Sequence, residues 1–188
     1  LIEAGIAVYS PHTSYDSARP GINQQLAESL GLHSIQPIRA LAPETAAESK
    51  ELSGEDPASE LGSGRFGDLP EAVTLSEFVE TTKRTLGVDN TQFVGDPNRS
   101  VRRVGTACGA AAEFMRDAAS KGCDVLLTGE ARFHACLESR MLDIALILPG
   151  HYATERPAME SLAKVLGERF PELDVLASRV ESDPIQWA

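Results

Sequence analysis

Several things are scarce in this sequence, and each shortage removes a class of function. Of 188 residues only 17 are Lys or Arg, against 28 Asp or Glu, a formal charge of −11. A protein that grips nucleic acid without regard to sequence needs a basic stripe to meet the phosphates, and this acidic balance argues against one. No apolar run approaches the roughly 18–20 residues that span a bilayer, and no secretory leader is legible at the first residues, which open on Leu1 rather than Met. Cysteine is rare as well. Cys108, Cys123 and Cys136 are odd in number and lack any C-x-x-C spacing, so they read as reduced thiols of a cytoplasmic protein rather than as a disulfide framework or a zinc-thiolate site. No internal repeat or long low-complexity tract is present. What remains is ordinary for a folded domain: 42% apolar and 24% charged residues, enough to bury a core within a single region covering residues 1–188.

The most informative pattern is a set of short apolar runs, each ending in a small polar motif. Gly5–Tyr9 leads to Ser10-Pro11-His12, Cys123–Leu127 to Thr128-Gly129-Glu130, and Ile144–Leu148 to Pro149-Gly150-His151. Continuous apolar runs bounded by Gly and Pro fit strands covered on both faces. Further strands are expected at Ser34–Leu41, Gln92–Gly95, Val101–Cys108 and Asp174–Ser178. Helical spacing places Ile22, Leu26 and Leu30 on one face, with Gly31 as the stop. Thr74 with Glu77 three places on is a capping-box signature, closed by Gly87 after Leu86. Glu130–Met141 reads as another helix. A last one, capped by Thr154, carries Met159, Leu162, Leu166 and Phe170, with Pro157 in its first turn. This alternation predicts an α/β fold, mixed sheets with flanking helices. The polar stretch Ala42–Gly64 interrupts it and reads as a surface loop.

One motif is set aside. Gly62-Ser63-Gly64-Arg65-Phe66-Gly67 matches G-x-G-x-x-G, but that fingerprint needs a strand before it and a helix at its end to meet pyrophosphate. Polar residues precede it, Asp68-Leu69-Pro70 delays any helix, and a glycine-rich turn is expected instead.

The chemistry-bearing residues gather where the apolar runs end. His12, Glu130 and His151 each have a polar companion four positions on: Asp16, His134 and Glu155. Open α/β sheets bind ligands beside the carboxyl ends of their strands, and imidazole nitrogen with carboxylate oxygen suits zinc, manganese or iron. Each pair alone has a duller reading, as a turn histidine, a helix-face contact, or an acidic first-turn residue. Three pairs at one sheet edge would make a polar or metal site. His33 reads as a surface residue.

The same segments carry a resemblance. His12-Thr13-Ser14-Tyr15-Asp16, Gly64-Arg65-Phe66-Gly67, Thr128-Gly129-Glu130-Ala131-Arg132-Phe133-His134 and Gly150-His151-Tyr152-Ala153-Thr154-Glu155-Arg156 resemble, in order, motifs of the Nif-three-like dinuclear metal-centre family, the GTP cyclohydrolase 1 type 2 homologues. The resemblance runs from near Leu1 to Asp183-Pro184 and covers the family's C-terminal portion. It implies a Nif-three-like fold, a ring-shaped homohexamer, and two divalent metal ions with Asp16, His151 and Glu155 as direct ligands. His12, Glu130 and His134 would then be the accompanying pocket residues that support the ligands from behind or move protons. The implied activity is metal-dependent hydrolysis of a nucleotide-like substrate; the alternative is a metal-binding scaffold or interaction protein without catalysis. Arg65, Arg132 and Arg156 become candidate phosphate contacts, with surface ion pairing as the plainer reading of each. Members of the family carry an adjacent His-His pair followed by Pro upstream of the first motif. This sequence has none, which reads as N-terminal truncation and leaves it fewer direct ligands than the family's set.

Overall fold

Apolar runs that are polar nowhere along their length can be satisfied only in the middle of a sheet, and that is where the two strongest lie. The computed structural model describes residues 1–41 and 61–186. In chain order its elements are α1 (Thr13–Ser17), α2 (Ile22–Ser29), β1 (His33–Gln36), β2 (Arg39–Ala40), β3 (Gly62–Ser63), β4 (Arg65–Thr74), α3 (Leu75–Leu86), β5 (Gln92–Val94) and β6 (Ser100–Ala107). They continue as α4 (Met115–Ser120), β7 (Val125–Thr128), α5 (Phe133–Met141), β8 (Ala145–Leu148), α6 (His151–Glu155) and α7 (Ala158–Arg169).

Six strands form one mixed sheet in the order β1-β4-β6-β7-β8-β5. The central trio β6, β7 and β8 is parallel, while β1, β4 and β5 add antiparallel neighbours. Every residue of β7 and β8 is buried, as expected of strands covered on both faces. Side chains alternate between those faces. Val125, Leu127, Ala145 and Ile147 join Leu26, Leu30, Leu75 and Phe78 under α2 and α3. Leu126, Leu146 and Leu148 join Met115, Ala118 and Ala135 under α4 and α5. Burying each such large side chain contributes roughly 1.5–3 kcal/mol, so this sandwich is the rigid platform of the molecule.

The capping box forms as the sequence reads. The Thr74 hydroxyl accepts from the Glu77 amide at 3.2 Å and the Glu77 carboxylate accepts from the Thr74 amide at 2.8 Å. Gly87 ends α3 in the left-handed conformation at φ 67°.

Other expectations need correction. Gly5–Tyr9 is no strand: among the described residues nothing pairs with it, and Ile6, Val8 and Tyr9 are 53%, 73% and 85% exposed. Composition suits a strand there, but a strand requires a neighbour to take its backbone bonds. Asp174–Ser178 is likewise irregular. Ser34–Leu41 divides into β1 and β2 at Pro37, which lacks an N–H for the ladder. The glycine-rich segment is not a turn but the join of β3 and β4, with Gly64 at φ 63° between them. Most of the polar stretch, 42–60, lies outside the described residues; Gly62 and Ser63 pair with Ala40 and Arg39. Thr154 lies inside α6 rather than capping the helix after it.

Candidate functional site

Because β6, β7 and β8 run the same way, the three segments that follow them leave from one edge of the sheet. They are laced together by backbone and hydroxyl bonds. The Thr128 hydroxyl donates to the Gly109 carbonyl at 3.0 Å and accepts from the Ala111 amide at 3.1 Å. The Thr154 hydroxyl accepts from the Gly109 amide at 3.0 Å and donates to the His151 carbonyl at 2.9 Å. The Glu130 amide reaches the Gly109 carbonyl at 3.2 Å, and the Gly150 amide reaches the Gly129 carbonyl at 2.9 Å. Thr128 and Thr154 are buried, so these bonds are shielded and hold three loops in one arrangement.

On that frame His151 stands between two carboxylates. Its Nδ1 is 2.8 Å from Glu130 Oε1 and its Nε2 is 3.1 Å from Glu155 Oε1. The Glu130 hydrogen bond, with the Glu155 charge beside it, raises the imidazole above its ordinary range against the opposing cost of burial. The room for this contact comes from Gly109. That residue sits at φ +68°, and a Cβ there would lie 2.4 Å from Glu155 Oε1 and 3.1 Å from His151 Nε2. Gly129 is equally confined, its missing Cβ facing the Gly109 carbonyl at 2.8 Å.

Asp16 approaches from elsewhere. It lies on α1, a five-residue helix whose N-cap is His12 at φ 37°. Burial raises the Asp16 carboxyl, and the nearby His12 charge opposes that rise. Burial also pushes the Cys108 thiol up, and the charges of Glu155 and Asp16 push it further. Both carboxylates therefore act on the same loop. Among the described residues, no group of three or more His, Cys, Asp or Glu side chains is gathered closely enough to hold a metal ion. The structure thus brings Glu130 and Glu155 into contact with His151, and Asp16 is linked to their loop through Asn23, which bonds its carbonyl and the Cys108 amide.

His134 lies one residue into α5 and lines, with Glu130, Arg132, Glu113 and Glu138, a cleft of about 640 Å³. His12 is exposed, its Nδ1 3.1 Å from the Thr13 hydroxyl. His33 is exposed at the start of β1. Two of the arginines are engaged internally. Arg65 is buried and donates to the carbonyls of Gly62, Gly64 and Ala18 at 2.5, 2.7 and 3.0 Å, and to Gln24 Oε1 at 3.0 Å. Arg156 is held by Glu160 at 2.7 Å and Glu181 at 2.6 Å. Both geometries favour a structural part over a phosphate contact. Asn23 and Gly109 escaped the sequence reading, and Thr128 and Thr154 were named there without this role. The signal for Gly109 and Thr128 was a Gly or Thr just past an apolar run; Asn23 had none.

A sequence profile of the Duf34/NIF3 (NGG1p interacting factor 3) family matches residues 1–184. The chain belongs to the DUF34/NIF3 family. It is 26% identical over 189 residues to a Clostridium perfringens GTP cyclohydrolase 1 type 2 homolog, covering 100% of this chain and 66% of that protein. A homolog of the same name from a Nostoc species is 32% identical over 163 residues, covering 86% of this chain and 56% of the relative. The chain thus spans about two thirds or less of the length of these NIF3 relatives. The fold agrees: the crystal structure of a Bacillus cereus protein related to NIF3 superposes with a TM-score of 0.85 at 23% identity, over 100% of this chain and 75% of that one. No helix among the described residues is long and apolar enough to cross a membrane.

Proposed function

We propose that this sheet edge is a divalent-metal site and that the protein is a metal-dependent hydrolase of the GTP cyclohydrolase 1 type 2 homologue class acting on a nucleotide-like substrate. The observation that carries the reading is the order Glu130–His151–Glu155. A histidine that ligates a metal through one ring nitrogen typically donates the other N–H to a carboxylate. Glu130 takes that role at Nδ1, which leaves Nε2 directed at the Glu155 carboxylate. Two carboxylates around one imidazole call for positive charge between Nε2 and Glu155. A second imidazole proton supplies it in one state, and a divalent cation fits the same donors in the other.

His151 and Glu155 would hold the ion, and Asp16 would reach it from α1. Zinc, manganese and iron all accept this nitrogen and oxygen donor set. When bound, such ions supply Lewis acidity that polarises a substrate oxygen. The chain's own residues do the rest. Glu130 fixes the ring orientation of His151. His134 faces the cleft that adjoins Glu130 and is placed to carry a proton to or from a substrate held there. Arg132, on the same wall, is the arginine of the three best placed to meet a substrate anion.

Elemental analysis of the purified protein tests the metal reading, with stoichiometric zinc, manganese or iron expected in the parent and loss of at least half of it in His151→Ala. Absence of bound divalent metal after loading would sink the proposal. GTP turnover by the metal-loaded protein, reduced about 10²-fold or more in His134→Ala, is the catalytic expectation. Metal without turnover would favour the second reading, a scaffold or interaction protein. The exposed Phe133, Leu137 and Met141, four residues apart along α5, are the observation on its side.

A further inference from the structure

We infer that Asn23 is the positioning residue that sets the spacing between the two halves of this site. Its geometry stands by itself, while its purpose rests on the metal reading above. Asn23 is the second residue of α2 and only 4% exposed. Its Oδ1 accepts from the Cys108 amide at 2.8 Å and its Nδ2 donates to the Asp16 carbonyl at 3.1 Å. One short side chain thus spans from α1 to the loop that follows β6.

The helix itself gains nothing from an asparagine here. The N-cap is Gly21, with no side-chain cap bond, and Asn is a weaker helix former than Ala or Leu in a turn interior. Both arms of the amide are committed to tertiary partners instead. The consequence reaches the ligand set in two steps. Fixing the Cys108 amide fixes the next residue, Gly109, whose backbone is the surface against which Glu155 Oε1 and His151 Nε2 rest. Fixing the Asp16 carbonyl sets where the Asp16 side chain starts. The following turn of the chain is fastened independently, because Arg65 donates to the carbonyls of Ser17 and Ala18 at 3.5 and 3.0 Å. Asn23 therefore decides how far Asp16 stands from the His151–Glu155 pair, while Arg65 decides where α1 ends.

An amide is the side-chain type this position needs. Aspartate has the same shape but would set an acceptor against the Asp16 carbonyl, and alanine would abandon both partners. The test compares Asn23→Asp and Asn23→Ala with Leu26→Ala, which lies on the same helix and opens a cavity in the core that Cys108 also borders, so it controls for lost packing while leaving both Asn23 bonds in place. Two quantities are read: amide hydrogen exchange at Cys108 and Gly109 in the metal-free protein relative to the amides of β7, and the Kd for Zn2+ by titration. Both Asn23 variants are expected to raise relative exchange at Cys108 about tenfold and to weaken Zn2+ binding about tenfold. Leu26→Ala should leave both within about twofold. Asn23 variants that match Leu26→Ala in both readouts, or that loosen Cys108 with unchanged Zn2+ affinity, overturn the inference. Should the unsubstituted protein take up no zinc, the metal reading fails, and exchange alone decides the positioning role: selective loosening at Cys108 upholds it and a uniform change overturns it.

Discussion

The two halves of the proposed site are built differently. Glu130, His151 and Glu155 follow strands buried on both faces, and their loops are bonded to one another through Gly109, Thr128 and Thr154. Their contact is a by-product of the most rigid part of the fold. Asp16 sits on a helix of five residues with no buried position of its own, reached from an exposed arm; Asn23 and Arg65 hold its backbone, and Tyr15 and Ser17 add side-chain bonds to Gln25, Ala158 and Ser63. The difference teaches that geometry from a packed sheet needs few dedicated bonds, whereas geometry from a short helix is only as good as the side chains that tether it.

Breaking the tether should have the largest effect. Arg65→Ala leaves the carbonyls of Gly62, Gly64 and Ala18 without their buried donor, and a loss on the order of 3 kcal/mol or more is expected in urea unfolding. Arg65→Lys should recover only part of it, because an ammonium cannot reproduce the planar fork. Full stability in Arg65→Ala would show that α1 docks without this anchor. A smaller cost is expected in the sheet-built half. Gly109→Ala forces a side chain into left-handed backbone at about 1–2 kcal/mol and presses on Glu155 Oε1. Thermal unfolding should show that loss together with weakened metal uptake. Uptake at the parent level would mean that the His151–Glu155 pair does not depend on the glycine.

The finest comparison is electrostatic. His151 is raised above its unfolded value of 6.5, so its contribution to stability is fully present below pH 6.5 and is lost as pH rises through the raised folded value. Glu130→Gln keeps an acceptor for Nδ1 but removes the charge. NMR titration of the metal-free protein should then find the imidazole lower, and the decline in stability should begin at lower pH. An unmoved titration would place the source of the shift on Glu155 instead.

Legibility in the sequence follows the same division. β7 and β8 were readable because a strand buried on both faces leaves an unbroken apolar run, and α3 was readable because Thr74, Glu77 and Gly87 are local signals. β4 was not, since Gly67, Asp68, Pro70 and Glu71 spoil any period; its half-covered, bulged path shows only against β6. Gly5–Tyr9 misled for the opposite reason, having the composition without a neighbour. Of the pairs His12/Asp16, Glu130/His134 and His151/Glu155, the last two follow sheet strands as read, whereas the first follows none. They did not reveal that Glu130 turns to His151 rather than to His134, a choice made by the direction in which each strand ends.

By itself, then, the order of residues determined the central strands, the capped helix and which chemical groups stand at strand ends, because those follow from local periodicity and local bonding. Only the tertiary structure decided who touches whom. Asn23 meets Cys108 across 85 positions, and Thr154 meets Gly109 across 45. The first contact arises from α2 packing against β6 and the second from β6 and β8 flanking β7 in one sheet, and no signal in a neighbouring residue records either.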